Sequence, residues 1–268
     1  MTDKFIEERK YLKGVSDKTL AWYLDSFNAF EGALDSEEQV KQRIVELRQR
    51  GVKPVSVNTY MRCIKAYFQW KGTPLNIPSL KEEQKIIATL SPQQVTRIIN
   101  WKPVKSTQTR LHILALTALD TGMRVNELLS LRRADIDLDN LLIRVVGKGN
   151  KHRLVPMSIE LRKRLYRYLS KHDVDRVFAA NHGGKLGSRN LLRYFKDLCC
   201  ELGVTGVRTS FHTLRHTFAV NYLRAGGNSL YLQRILGHTS LEMTNRYVRS
   251  LGIEDLKAVH SGLSLLSR

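Results

Sequence analysis

Between Gly72 and Ser91 the helical spacing of apolar residues breaks off, and the stretch GTPLNIPSLKEEQKIIATLS takes its place. Gly72, Pro74 and Pro78 interrupt any helix there, and several charges follow. A break of this kind forbids one continuous core and divides the 268 residues into a short and a long part. The expected organisation is a helical domain over 1–75, a linker over 76–90 and a second domain over 91–268. A hydrophobic content of 42% is enough for both parts to fold rather than stay disordered.

In the first part apolar residues recur at helical spacing, as Leu20, Tyr23, Leu24, Phe27 and Phe30, then as Val40, Ile44 and Leu47. Ser16 precedes one run, Ser36 with Gln39 resembles a capping box, and Ser56 opens SVNTYMRCIKAYFQWKG, which closes at Gly72. On that third helix Tyr60, Ile64 and Phe68 share a face, while Arg62, Lys65 and Lys71 carry positive charge elsewhere, as any solvated basic face does. In the second part Ser91, Pro92 and Gln94 have the chemistry of an N-cap, an N1 proline and its capping partner. An apolar helix around Ile113 to Leu119 and another from Val125 follow, separated by Gly122. DIDLDN, LLIRVV and HRLVPM alternate like strands, with KGN as turn residues, and helical spacing returns from about Ser158. The fold class expected is mainly α, with a small antiparallel β-sheet in the second domain.

Lys and Arg number 44 against 25 Asp and Glu, giving a formal charge of +19 and a pI near 10.0. That balance selects a polyanionic partner without naming a reaction. Cys63, Cys199 and Cys200 are odd in number and lack CxxC spacing, which suits a reducing cytoplasm. The segment MTDKFIEERKYLKG has no apolar signal core, and no apolar run approaches a membrane span, so a cytoplasmic protein is expected. His212 and His216 stand four apart on a helix, but Thr213 occupies the place where HExxH sites carry glutamate. DIDLDN has Asn140 where a calcium loop needs glycine, and neither GKG nor GGK has Walker spacing. Neither a metal nor another cofactor is expected.

Four segments carry the chemistry: TGMRVNELLSL, VGKGNKHRLVP, FHTLRHTFA and LGHTSLEMTNRY. They contribute Arg124, Lys148, His212, Arg215, His238 and Tyr247, with nine residues from His238 to Tyr247. In this the chain resembles the tyrosine recombinases of the phage integrase family. Those enzymes use two arginines, a hairpin lysine, a His-x-x-Arg pair, a further histidine or tryptophan and a tyrosine nucleophile. The resemblance covers about Ser91 to Leu251, and the small helical domain before it suits a compact, Xer-like architecture. The residue types make chemical sense independently of it. Strand transfer builds negative charge on a phosphate that is already anionic, and guanidinium offers a permanent charge with a planar donor fork. A tyrosine hydroxyl titrates near pH 10, so its proton needs an acceptor, for which His212 is the candidate. His238 would donate a hydrogen bond to the phosphate.

The resemblance implies a site-specific recombinase that forms a 3′-phosphotyrosine and a free 5′ hydroxyl, then exchanges strands through a Holliday junction. It implies Lys148 as general acid, although Lys151 lies nearby on the same turn. It also implies a homo-tetramer on paired sites in double-stranded DNA, held by a two-domain C-shaped clamp in a nucleoid setting. Thr59, Arg62 and Lys65 are the candidate DNA contacts of the first domain. Glu127 and His216 are read as structural supports. The apolar positions Ile253, Leu256, Val259, Leu263 and Leu266 form a tail helix that docks on a neighbouring protomer or folds back on its own domain. A non-catalytic DNA-binding protein and a type IB topoisomerase are the competing readings. The first would keep the basic surface without the chemistry, and the second would share the phosphotyrosine step.

Overall fold

The computed structural model describes residues 1–83, 87–147, 152–171, 173–180 and 183–263, and the chain divides into two compact units at Lys85 and Ile86. In the first unit, α1 (Thr2–Tyr11), α2 (Asp17–Ala29), α3 (Glu37–Gln49) and α4 (Pro54–Trp70) enclose an aromatic core. Phe5 is fully buried, with Tyr23, Phe27, Tyr67 and Trp70 edge-on around it at centroid distances of 5.4, 5.8, 5.5 and 5.7 Å. Ser16 and Ser36 accept from the backbone N–H of Thr19 and Gln39, as N-caps do. α4 begins two residues before Ser56: Lys53 is the N-cap, and Pro54 takes N1, where its missing N–H costs nothing. Leu24, expected on the apolar face of α2, is instead half exposed.

The stretch after α4 is anchored rather than free. Ile77 is buried in the aromatic core, and Asn58 exchanges hydrogen bonds with the backbone N–H and C=O of Leu80 at 2.8 and 2.9 Å. On the far side of the division, Leu90 is buried in the second unit and donates its N–H to Thr217 Oγ1 at 3.0 Å.

The second unit is built on α6 (Ser106–Thr121), whose residues from Leu111 to Ala118 are buried all round. α5 (Pro92–Asn100), α8 (Ile159–Leu169), α9 (Ser188–Glu201) and α10 (Phe211–Arg224) pack about the same core. α5 starts with a complete capping box between Ser91 and Gln94. β1 (Ile136–Asp137), β2 (Leu142–Val146) and β3 (His152–Pro156) form an antiparallel sheet in sequence order, with Val145 opposite Arg153 and Ile143 opposite Val155. The alternation buries Ile143, Val145 and Val155, and it puts Arg153 on the same inward face. Helices α7 (Val125–Ser130), α11 (Ser229–Leu236), α12 (Leu241–Val248) and α13 (Ile253–Leu263) complete the unit. Ile253 and Leu256 of α13 are exposed, while Asp255 pairs with Arg224 of α10 at 3.0 Å. Leu266, the last of the expected tail positions, lies outside the described residues.

Candidate active site

Three arginines converge on the C-terminal end of α11. The last carbonyls of a helix have no partner within it and carry the negative end of its dipole. Here guanidinium groups take them up. Arg153 Nε donates to Ile235 O at 2.9 Å, Arg215 Nη2 and Arg124 Nη1 donate to Leu236 O at 2.9 and 3.2 Å, and Arg124 Nη2 donates to Gly237 O at 3.3 Å. Gly237 ends the helix at a φ of +64°, a left-handed conformation that favours glycine. A Cβ there would lie 3.0 Å from Arg153 Nη1.

Glu127 locks this arrangement from the other side. Its carboxylate, 8% exposed, receives both Nη atoms of Arg153 at 2.9 and 2.8 Å, and it accepts from Arg124 Nη1 at 3.0 Å and from the Arg124 backbone N–H at 2.8 Å. Burial pushes this acid up, but the Arg153 hydrogen bonds, the Arg124 backbone N–H and the two arginine charges outweigh it, so it is held below the usual carboxylate range. Glu127 therefore grips a neighbouring basic side chain and caps a helix start at once.

Arg215 lies deepest, at 4% exposure. Its Nη1 donates to Gly122 O at 2.7 Å, and Nη2 faces Nε2 of His238 at 3.0 Å. Gly122 closes α6 at a φ of +64°, and a Cβ there would strike Phe218 Cδ1 at 2.4 Å. Burial first, then the charge of Arg124, pull Arg215 down to about 10, so it stays cationic at neutral pH. Three guanidiniums against one carboxylate leave this centre strongly positive. It opens into a cleft of about 980 Å³ lined by Arg124, Glu127, Arg153, Arg234 and His238.

Tyr247 of α12 is 4% exposed, and its ring stacks on His238 with centroids 6.1 Å apart at 11°. Its hydroxyl lies 3.0 Å from Nδ1 of His216. Burial pushes that hydroxyl above the ordinary tyrosine range, while the Arg215 guanidinium acts against the shift. His238 is held on both ring nitrogens. Arg215 has only donors, so Nε2 accepts from it and Nδ1 carries the proton toward Thr244 Oγ1 at 2.8 Å. In this arrangement both ring nitrogens have protein partners. Burial, followed by the charges of Arg215 and Arg124, brings His238 down to about 4.

The sequence matches residues 88–252 to the phage integrase family. The chain belongs to the phage integrase family. It is 31% identical to the tyrosine recombinase XerA of Saccharolobus solfataricus over 91% of this chain and 77% of that protein. It is 26% identical to the tyrosine recombinase XerD of Oceanobacillus iheyensis over 88% of each. Among solved structures, the Tn1549 transposon integrase in complex with circular intermediate DNA superposes with a TM-score of 0.78 at 19% identity, covering 98% of this chain and 99% of that one. The XerH site-specific recombinase bound to palindromic difH substrate gives a TM-score of 0.75 at 18% identity, covering 100% of this chain and 84% of that one. The chain is a tyrosine site-specific recombinase of the Xer-like type.

Within it, five of the six sequence-predicted catalytic residues lie in the second unit about the end of α11 and the start of α10, and Lys148 lies outside the described residues. Arg124, Arg215, His238 and Tyr247 are joined by the contacts above. His212 stands one helical turn before His216 with its edge open to solvent, where partial burial and then the charges of Arg215, Arg208 and Arg124 lower its pKa. The ring that touches the Tyr247 hydroxyl is His216, not His212. Both stand on one face of α10, and the sequence alone does not say which of them meets α12. Arg153 is not among the residues the motifs single out, although its place two residues before Val155 puts it on the inward face of β3. Of the candidate DNA contacts, Thr59 accepts from Arg62 Nη2 at 3.3 Å, and Arg62 is exposed. Lys65 instead turns its ammonium to the Ile77 carbonyl within the same unit.

Proposed function

We propose that Tyr247 is the nucleophile that attacks a scissile phosphate in duplex DNA, forming a 3′-phosphotyrosine and releasing a 5′ hydroxyl. The observation that carries this reading is the burial of Tyr247 against an arginine centre whose positive charge exceeds its acid content. Arg124 and Arg215 serve as the fork for the non-bridging oxygens, and their fixed positions avoid reorganisation as charge builds. Both have donors beyond those used by the carbonyls, since each guanidinium carries five N–H bonds. His212 joins them as an exposed ring beside the phosphate. His238 holds Arg215 in place through Nε2. Lys148, between β2 and β3, delivers the proton to the departing 5′ oxygen. No cofactor is assigned, because the phosphotyrosine conserves the energy of the broken bond.

Strand exchange through a Holliday junction then takes a homo-tetramer on two specific sites. Residues 1–75 serve as a DNA-binding domain, with Thr59 and Arg62 as candidate contacts and Lys65 as a brace for the segment over 76–90. Residues 91–268 form the catalytic domain. The exposed Ile253 and Leu256 of α13 suit docking on a neighbouring protomer. No helix among the described residues is long and apolar enough to cross a membrane, and a place on the nucleoid follows from the proposed substrate.

The test begins with duplexes that the protein retains from a random-sequence pool, each then nicked at successive positions to trap cleavage. Wild type should give a protein–DNA adduct that survives denaturant, and Tyr247→Phe should give none. Absence of any adduct on duplexes that are bound specifically would overturn the assignment of the nucleophile.

A further inference from the structure

A tyrosine hydroxyl cannot bond to phosphorus without losing its proton, and the surroundings of Tyr247 narrow where that proton goes. Nδ1 of His216 is 3.0 Å from Oη, with ring centroids 5.6 Å apart. Arg215, Arg246 and Arg124, whose charges act on the hydroxyl, are donors and cannot take it. His238 is stacked on the tyrosine ring, with Nε2 occupied by Arg215 and Nδ1 by Thr244. His212 makes no hydrogen bond to Oη among the described residues.

We infer that His216 is a further catalytic residue whose Nδ1 accepts the Tyr247 proton as Oη attacks the scissile phosphate, an inference that rests on the phosphotyrosine reading above. In that step the O–H bond of Tyr247 and the phosphorus–5′ oxygen bond break, while the Oη–phosphorus and Nδ1–H bonds form. The electron pair of the broken phosphoester bond leaves on the 5′ oxygen, which takes its proton from Lys148. Religation runs the same transfers backward, so His216 returns the proton to the tyrosine that leaves.

The role needs a neutral ring with its lone pair at Nδ1, the tautomer that accepts the Tyr247 hydroxyl proton. Burial, then the charges of His212, Arg246 and Arg215, bring His216 down to about 4, so the free protein holds it neutral. The groups facing it are His212 and Arg215 from its own helix and Tyr247 and Arg246 from α12. An anionic phosphate among the arginines offsets the part of this shift that comes from their charges. Substrate thus raises the basicity of its own proton acceptor, and the resting enzyme keeps its nucleophile protonated.

The experiment uses the full chain on the retained, nicked duplexes, following adduct formation in a single turnover from about pH 6 to about pH 9.5. His216→Ala should be slower by on the order of a hundredfold near neutrality. Its rate should climb roughly tenfold per pH unit, because solution hydroxide then supplies the tyrosinate. His216→Asn offers an acceptor oxygen near the place of Nδ1 but cannot take a proton, so it should track the alanine variant. Restoration of the wild-type rate by asparagine would reduce His216 to a positioning group and overturn the proposal. A loss of equal size at every pH would do the same, as would a pH signature that appears in His212→Ala instead. The underlying reading fails differently, with no adduct from wild type on DNA that it binds.

Discussion

The two units bury opposite kinds of chemistry. Around Phe5 the first unit places rings against rings, and the described residues include no buried carboxylate there. Around the end of α11 the second unit buries Glu127 and Arg215 and binds helix carbonyls with three guanidiniums. An aromatic cluster stabilises through area removed from water and tolerates small shifts. A buried charge network adds little net stability but fixes where its members point, because any displacement strands a charge. The first unit is organised for stability and the second for direction.

Tyr247→Phe should produce the largest change of function with the least change of structure. The ring keeps its packing beside His238, and only the hydroxyl and its bond to His216 are lost. Adduct formation should fall to background while the thermal transition moves little. A large loss of stability would mean that the hydroxyl is a structural member of the network.

Glu127→Ala should come next, with a destabilisation of about 3 kcal/mol, because it leaves the largely buried Arg153 without its counter-charge. Hydrogen exchange should report the loss in the second unit only. The same acid sets a pH dependence. Its folded pKa lies below its unfolded value, so its contribution is fully present above the ordinary carboxylate range and disappears as pH falls through the folded pKa. Denaturant melts of the second unit should weaken on acidification, and Glu127→Gln should flatten that dependence. Phe5→Ala is the counterpart in the first unit, costing about 3–5 kcal/mol through the cavity left between four rings. Its exchange signature should be confined to the first unit. If either substitution loosened both units equally, the contrast between them would collapse.

The legibility of the sequence follows the same division. Periodicity reveals α2, α3 and α4, because apolar faces leave a spacing that can be read. It misses α1, where Phe5 and Ile6 stand among charges and the fully buried ring is a single residue. In the second unit the motifs single out Arg124, Arg215, His238 and Tyr247: Arg124 and Arg215 share the Leu236 carbonyl, Arg215 meets His238, and His238 stacks on Tyr247. What the motifs do not convey is which side chain fills each partner's valence. Arg153 is legible through strand alternation once β3 is known to face inward. The choice between His212 and His216 is not, since it depends on how α12 packs against α10. Ser56 is a good cap by composition, but Pro54 takes the first helical position before it.

The smallest effect should fall on a feature that the two units share. Ser36 and Ser91 each accept from the backbone N–H three residues on, and Ser91 completes the box because Gln94 Oε1 accepts from the Ser91 N–H at 3.0 Å. In the first unit the corresponding glutamine bonds one residue earlier, to the Asp35 N–H at 3.3 Å, so the Ser36 N–H is not the one capped. Replacing either serine by alanine removes one acceptor from a helix start and should cost about 1 kcal/mol. The Ser91 change should be slightly the larger, since losing the serine also loosens the glutamine that closes the box. Chemical melts of the two variants, read by exchange within each unit, would show this ordering. Equal costs would mean that the local cap acts alike on both backgrounds. A Ser91→Ala loss comparable to that of Glu127→Ala would mean instead that α5 feeds strain into the arginine centre, and the second unit's sensitivity would no longer belong to its buried charges alone.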